Sequence, residues 1–166
     1  NPNDAPKAIF ISAFSDMPLA ADINIVLKGQ EKDFQTGVDA LAKIAKVYIG
    51  IKAGSIVANV KNAIVTEFQG KCPAGNVGVQ INHVNPINKG EVAWTLGAEE
   101  VAMIGRLFNE GKSIFTRTIA IAGSEIKEPQ YKTVLIGAKI GDIVANNVST
   151  DKKVRLIDGN PLTGRS

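Results

Sequence analysis

The chain has 166 residues, of which 45% are hydrophobic and 21% are charged. This composition excludes a disordered chain, and the length suits one ordinary domain or one domain with a small appendage. A single cysteine (Cys72) and a single histidine (His83) exclude an internal disulfide, a cysteine-rich zinc site and any site that needs two imidazoles.

The net charge of +3 is unevenly distributed along the sequence. Residues 1–112 carry 11 basic and 11 acidic side chains, and residues 113–166 carry eight basic and five acidic ones. This excess is far weaker than the basic stripe of a nucleic-acid-binding protein, so we expect no nucleic-acid partner. Apolar runs of about five residues are much shorter than the roughly 18 that span a bilayer, so no membrane span is expected.

Short apolar runs alternate with helical patterns in residues 1–112, which predicts a parallel sheet with helical crossovers. Gly111 is a natural stop for the last helix. The predicted strands cover residues 8–11, 47–51, 63–68 and 91–96, and the predicted helices cover residues 30–44, 76–84 and 98–110.

A different pattern begins after Gly111. Strands are predicted over residues 113–122, 131–136 and 154–157, with a short helix over 138–145. A hairpin, one helix and a further strand in about 50 residues are typical of a β-grasp unit, which is an α+β layer. We therefore predict two domains, 1–112 and 113–166.

Candidate binding residues follow the first two strands, because ligands of open α/β sheets lie beyond the carboxyl ends of the strands. Ser15 and Asp16 follow the first strand, and Lys52 and Gly54 follow the second. The G-x-G-x-x-G fingerprint of dinucleotide-binding proteins is absent from the sequence, and the charge of Asp16 would repel a pyrophosphate. We expect no flavin or dinucleotide here.

Other candidate motifs have simpler structural explanations. Gly111-Lys112-Ser113 is not the end of a phosphate-binding P-loop, since Arg106 stands where that motif needs glycine. The turn around Cys72-Pro73 is interpreted as structural, and Glu99 and Glu100 complement the dipole of the helix that they open. No catalytic arrangement and no metal site can be defended from the sequence.

Several stretches, in one order along nearly the whole chain, resemble the A-subunit family of bacterial Na⁺-translocating NADH:quinone reductases. The similarity is more specific than any single motif, and it extends over a middle portion of that longer protein. The stretches are residues 8–13, 17–22, 34–38 and 73–75, Trp94 with residues 104–108, residues 117–123, Pro129, and residues 135–138 and 159–164.

The resemblance implies a Rossmann-like domain, similar to the flavin subunit of respiratory complex I, followed by a soluble-ligand-binding β-grasp (SLBB-like) domain. It implies a peripheral subunit on the cytoplasmic side of a bacterial inner-membrane complex. That complex passes electrons from NADH to ubiquinone and exports Na⁺. The partners would be its other subunits and ubiquinone, while FAD, FMN, riboflavin and iron–sulfur centres would reside in other subunits and none in this chain.

In this interpretation Ser15, Asp16, Lys52 and Gly54 border an apolar quinone crevice. Two alternatives stay open. The C subunit of an Rnf-type electron-transport complex shares the layout, but it should carry a glycine-rich flavin loop and clustered cysteines. A non-catalytic β-grasp module would bind a ligand or an acidic protein surface through the basic residues of 113–166.

Overall fold

The computed structural model describes residues 3–149 and 153–166. Four parallel strands form a sheet in the order β3-β2-β1-β4, which confirms the parallel sheet predicted for the first part of the chain. The strands are β1 (Ala8–Ser12), β2 (Lys46–Ile51), β3 (Ile64–Glu67) and β4 (Ala93–Gly97). The helices are α1 (Ile23–Val26), α2 (Glu31–Ala42), α3 (Val77–Val84) and α4 (Ala98–Glu110).

The main core lies on the sheet face that α2 and α4 cover. Alternate residues of a strand point to opposite faces, so Ile9 and Ile11 of β1 point to this core while Ala8 and Phe10 belong to a smaller cluster with Ile81 of α3. Phe34 is completely buried in the main core. Burial of this kind contributes about 25 cal/mol per Å² of apolar surface, so this core is the main source of stability.

Helices α2 and α4 approach closely because each carries a glycine at the contact. A methyl group added to Gly105 would lie 2.7 Å from the backbone nitrogen of Gly37 and would collide with the carbonyl oxygen of Asp33. Beside this contact, Arg106 of α4 pairs with Asp33 of α2 (Nε to Oδ2, 3.4 Å) and donates to Gln30. The relative position of α2 and α4 is therefore fixed by close backbone packing and by the polar contacts of Arg106 beside it.

The second part of the chain is smaller and buries fewer apolar side chains. An antiparallel pair, β5 (Thr116–Ile121) and β6 (Gln130–Leu135), is followed by the short helix α5 (Ile140–Val144). Ile121 and Val144 are its buried apolar side chains among the described residues. The prediction of a strand over 154–157 is wrong, because these residues belong to neither sheet. Residues with a high β-propensity form a strand only where another strand pairs with them.

The described residues group into two compact units. Unit 1 consists of Asn1–Asp16 and Asp22–Ile114, and unit 2 consists of Met17–Ala21 and Phe115–Ser166. The predicted fold class, an α/β sheet followed by a small α+β part, is confirmed. The domain boundary near residue 112 stays a prediction.

Candidate functional site

The four predicted site residues lie in the loops after two adjacent strands. β1 and β2 pair with Ser12 opposite Gly50, and the ladder extends through a hydrogen bond from Ala13 N to Gly50 O (2.8 Å). Ser15 is exposed and Asp16 is half-buried in the first loop. Lys52 and Gly54 are exposed in the second, where Gly54 has a φ of +77° that favours glycine.

Asp16 interacts with the loop that precedes α3. Its Oδ2 accepts a hydrogen bond from Gly75 N at 3.2 Å, and a methyl group on Gly75 would lie 2.8 Å from Oδ1 of the same carboxylate. No ion pair joins Asp16 to Lys52 among the residues that the structure describes. The structure therefore places the two loops side by side at the carboxyl ends of the two central strands, but it anchors Asp16 to a third loop.

A buried glutamine connects the same region to α3. Gln80 is 3% exposed, and its Nε2 donates to Ser12 Oγ and to Ala74 O, both at 3.2 Å. Ser12 Oγ donates to Gly75 O at 3.0 Å. We call Ser12, Asp16, Ala74, Gly75 and Gln80 the Gln80 network. It joins the end of β1, the loop before α3 and α3 itself, so it fixes the backbone that carries Asp16.

A shallow groove lies beside the Gln80 network, on the α3 side of the sheet, and its accessible volume is about 10 Å³, roughly room for one water molecule. Its walls are mostly apolar, and its polar residues are Tyr48, Thr66 and Gln80. The ring of Tyr48 stacks on Phe10 with centroids 5.1 Å apart. The lining consists of Phe10, Ile11, Tyr48, Ile49, Gly50, Thr66, Phe68, Gln80 and Val84.

Acidic side chains occupy the helix terminus that lies beside β1. Gly97 ends β4 opposite Ser12 and caps α4, and Glu99 and Glu100 stand in the first turn of that helix. A methyl group on Gly97 would collide with the Glu100 carboxylate, so this carboxylate folds back over the helix start. The N-terminus of a helix ordinarily attracts anions. At α4 the negative charges of Glu99 and Glu100 would repel a phosphate bound there.

The remaining reactive side chains form no cluster. Cys72 is exposed, and His83 Nδ1 lies 2.8 Å from the carbonyl oxygen of Val79, one turn earlier in α3. No group of three or more histidine, cysteine, aspartate or glutamate side chains suited to a metal ion occurs among residues 3–149 and 153–166. The described site therefore offers apolar surface, neutral hydrogen-bonding groups and the charged side chains of Asp16 and Lys52.

Apart from Asp16, the residues of the Gln80 network and of the groove beside it were not predicted from the sequence. Gln80 is 68 residues from Ser12 in the sequence, and no local spacing indicates that contact. The available signal was a glutamine between the apolar residues Val79 and Ile81 of α3.

Residues 1–113 match the family model described as the NqrA second alpha/beta domain. Residues 118–166 match the model described as the NQRA C-terminal domain, of the SLBB type. The chain belongs to the NqrA family.

Curated NqrA relatives align with nearly the whole chain. It is 37% identical over 166 residues to the A subunit of the Na⁺-translocating NADH-quinone reductase of Shewanella frigidimarina, covering 98% of the chain and 37% of the relative. The corresponding protein of Neisseria meningitidis serogroup B is 35% identical (96% and 36% covered), and that of Hahella chejuensis is 32% identical (97% and 37% covered). The chain thus spans little more than a third of the length of these relatives.

Within the described residues of this NqrA family member, no helix is long and apolar enough to cross a membrane.

Proposed function

We propose that this chain works as the middle part of the NqrA subunit in a Na⁺-translocating NADH:quinone reductase. The observation that carries the proposal is the match of two successive NqrA domain models, in order, with relatives that are named as that subunit. The proposed role is a scaffold at the cytoplasmic side of a bacterial inner-membrane complex, held by the other subunits.

We propose further that the chain carries no redox group, and that FAD, FMN, riboflavin and iron–sulfur centres reside in other subunits. Glu99 and Glu100 support this view, because they place negative charge at the helix terminus where an open α/β sheet would hold a nucleotide phosphate. The missing glycine-rich fingerprint supports it independently.

The proposed quinone site is a crevice at the carboxyl ends of β1 and β2, bordered by Ser15, Asp16, Lys52 and Gly54. A quinone needs apolar surface for its ring and hydrogen-bond donors for its carbonyl oxygens. Lys52 supplies a cationic donor, and Phe10 and Phe68 are apolar residues of the groove on the α3 side. The Gln80 network would keep the backbone of this crevice in place.

Titration of the chain with a short-chain ubiquinone, FMN and NADH tests the crevice. Trp94 is the only tryptophan and packs against the core of unit 1, so its fluorescence reports on this unit. We expect saturable quinone binding that weakens in Lys52→Gln and not in Lys28→Gln, an exposed lysine after α1. No change in fluorescence on adding the quinone would contradict the proposed crevice. Tight FMN binding would contradict the proposal that the chain carries no redox group.

A chimera tests membership of the complex separately. The matched segment of the Shewanella frigidimarina NqrA protein would be replaced by these 166 residues. We expect the chimera to assemble with the other subunits and to support NADH-dependent quinone reduction. Failure to assemble, with both the chimera and the isolated chain folded, would contradict the scaffold role.

A further inference from the structure

The polypeptide crosses between the two units more than once. It leaves unit 1 after Asp16, returns at Asp22 and leaves again after Ile114. The five residues between the first two crossings, Met17–Ala21, group with Phe115–Ser166 in unit 2. We call Met17–Ala21 the strap. Two units joined by a single linker move independently by default, whereas the strap adds a second connection that begins and ends in unit 1.

An aspartate fixes each end of the strap to unit 1. Asp16 Oδ2 accepts a hydrogen bond from Gly75 N at 3.2 Å, and a methyl group on Gly75 would lie 3.0 Å from the backbone nitrogen of Asp16. Asp22 caps α1, and its Oδ1 accepts from Asn24 N at 2.9 Å. Leu27, directly after α1, is completely buried in the main core. Both ends of the strap therefore start from well-packed positions.

The backbone of the strap adopts a conformation that its own sequence disfavours. Leu19 has a φ of +61°, which is the left-handed region that bulky residues rarely adopt. A hydrogen bond from Ala20 N to Met17 O (3.2 Å) closes the turn around it. The Leu19 side chain is 62% exposed, so little of the strain is offset by burial of that side chain. Such a conformation persists only where the surrounding structure imposes it.

We infer that the strap couples the state of unit 2 to the loop that carries Ser15 and Asp16. A change in unit 2 that displaces the strap pulls on Asp16 through the peptide bond to Met17 and opens its hydrogen bond to Gly75. Coupling is reciprocal, so a ligand that holds Asp16 in place also stabilises unit 2. As regulation of quinone binding this rests on the proposed crevice, whereas the coupling itself is measurable without a ligand.

Amide hydrogen exchange of the full chain, followed by NMR, measures the coupling because it reports local opening. Ile121→Ala truncates a buried side chain of unit 2 and should loosen that unit. Exchange at Gly75 N should become about fivefold faster or more, and exchange at Lys61 N, which donates to Gln35 Oε1 in unit 1, should stay within about twofold. Unchanged exchange at Gly75, or equal acceleration at both amides, would overturn the inference.

A longer strap separates the coupling from a general loosening of the chain. Two glycines inserted after Leu19 add slack at a small entropic cost. Ile121→Ala added to this insertion should no longer accelerate exchange at Gly75. Two glycines inserted after Lys112, in the other connection between the units, should leave the acceleration intact. Equal effects of the two insertions would overturn the inference.

The reverse effect is measured with variants of Asp16. Asp16→Ala should accelerate exchange at Lys127 N of unit 2, which donates to Asn147 O, by about fivefold. Asp16→Asn retains an acceptor oxygen and should have a smaller effect. Asp39→Ala removes another hydrogen-bonded carboxylate of unit 1 and is the control. No effect of Asp16→Ala, or an equal effect of Asp39→Ala, would overturn the inference.

A titration with short-chain ubiquinone distinguishes the strap from the proposed crevice. Coupled exchange in a chain that binds no ubiquinone would support the strap and contradict the crevice. Ubiquinone binding in a chain with uncoupled exchange would overturn the role of the strap and leave the crevice standing.

Discussion

The two units differ sharply in how much apolar surface they bury. Among the described residues, eighteen apolar side chains are buried in unit 1, and two, Ile121 and Val144, are buried in unit 2. The buried polar side chains Ser55, Gln80 and Glu99 also all belong to unit 1. An isolated two-stranded hairpin is at best marginally stable in water, so β5 and β6 depend on packing from the rest of unit 2.

This difference in burial suits the two units to different roles. Unit 1 has a filled core that can hold loop backbones in fixed positions, as the Gln80 network does for Asp16. Unit 2 presents large apolar side chains such as Phe115 and Leu135 to its surroundings. The first arrangement suits a scaffold for a binding crevice, and the second suits a contact surface.

Truncating one phenylalanine in each unit tests the contrast most directly. Phe34→Ala removes a completely buried ring and should lower the free energy of unfolding by about 3–5 kcal/mol. Phe115→Ala removes an exposed ring and should change it by no more than about 0.5 kcal/mol. Urea unfolding followed by circular dichroism and Trp94 fluorescence measures both. Comparable losses would show that the difference in burial does not govern stability.

Adding a methyl group to one glycine in each unit sharpens the same comparison. Gly105→Ala forces α4 away from the Asp33 carbonyl and should cost about 1–3 kcal/mol. Gly141→Ala in α5 meets no atom within 4 Å and should be neutral or should stabilise the helix by up to about 1 kcal/mol. Thermal unfolding of the two variants provides the measurement. A harmless Gly105→Ala would refute tight packing between α2 and α4.

The polar interior of unit 1 can be tested through Gln80. Gln80→Leu keeps much of the side-chain volume but leaves Ser12 and the Ala74 carbonyl without this amide donor. We expect a loss of about 1–3 kcal/mol in urea unfolding. Gln69→Leu, at an exposed position, is the control and should fall within about 0.5 kcal/mol of the parent chain. Equal effects would argue against a structural role for the network.

The smallest expected effect concerns pH. The side-chain hydrogen bond from Lys7 (2.8 Å) and then the backbone bond from Asn88 (2.7 Å) hold the pKa of Glu91 below its ordinary value of 4.5. A lowered folded-state pKa stabilises the fold above pH 4.5, and this contribution disappears as the pH falls through the lowered value. Thermal unfolding of Glu91→Gln and the parent chain should therefore differ slightly at neutral pH and converge in acid. If the difference between the two unfolding temperatures grew as the pH fell, the pKa of Glu91 would not be lowered by folding.

Features that depend on local patterns were predictable from the sequence. The apolar stripe of α4 and its end at Gly111 are confirmed, and Gly111 has a φ of +67°, as a left-handed helix cap requires. β1 and β2 were found because short runs of apolar, β-branched residues favour buried strands. In each case neighbouring residues determine the structure.

Features that depend on distant contacts were not predictable. Residues 154–157 have β-prone side chains, but a strand forms only where another strand pairs with it. The four-residue α1 is capped by Asp22, whose Oδ1 accepts from Asn24 N at 2.9 Å, and it is too short for a clear helical period. The anchoring of Asp16 by Gly75 joins residues 59 positions apart, which composition and spacing do not reveal.

The short segment Met17–Ala21 groups with unit 2, although it follows β1 directly in the sequence. Unit 2 is therefore discontinuous along the polypeptide: its first five residues are synthesised almost a hundred residues before the rest. Proteolysis or gene truncation near residue 112 would release a C-terminal piece that lacks this segment. Ligand binding by such a piece would therefore describe unit 2 without Met17–Ala21, whereas the 166-residue chain retains this segment.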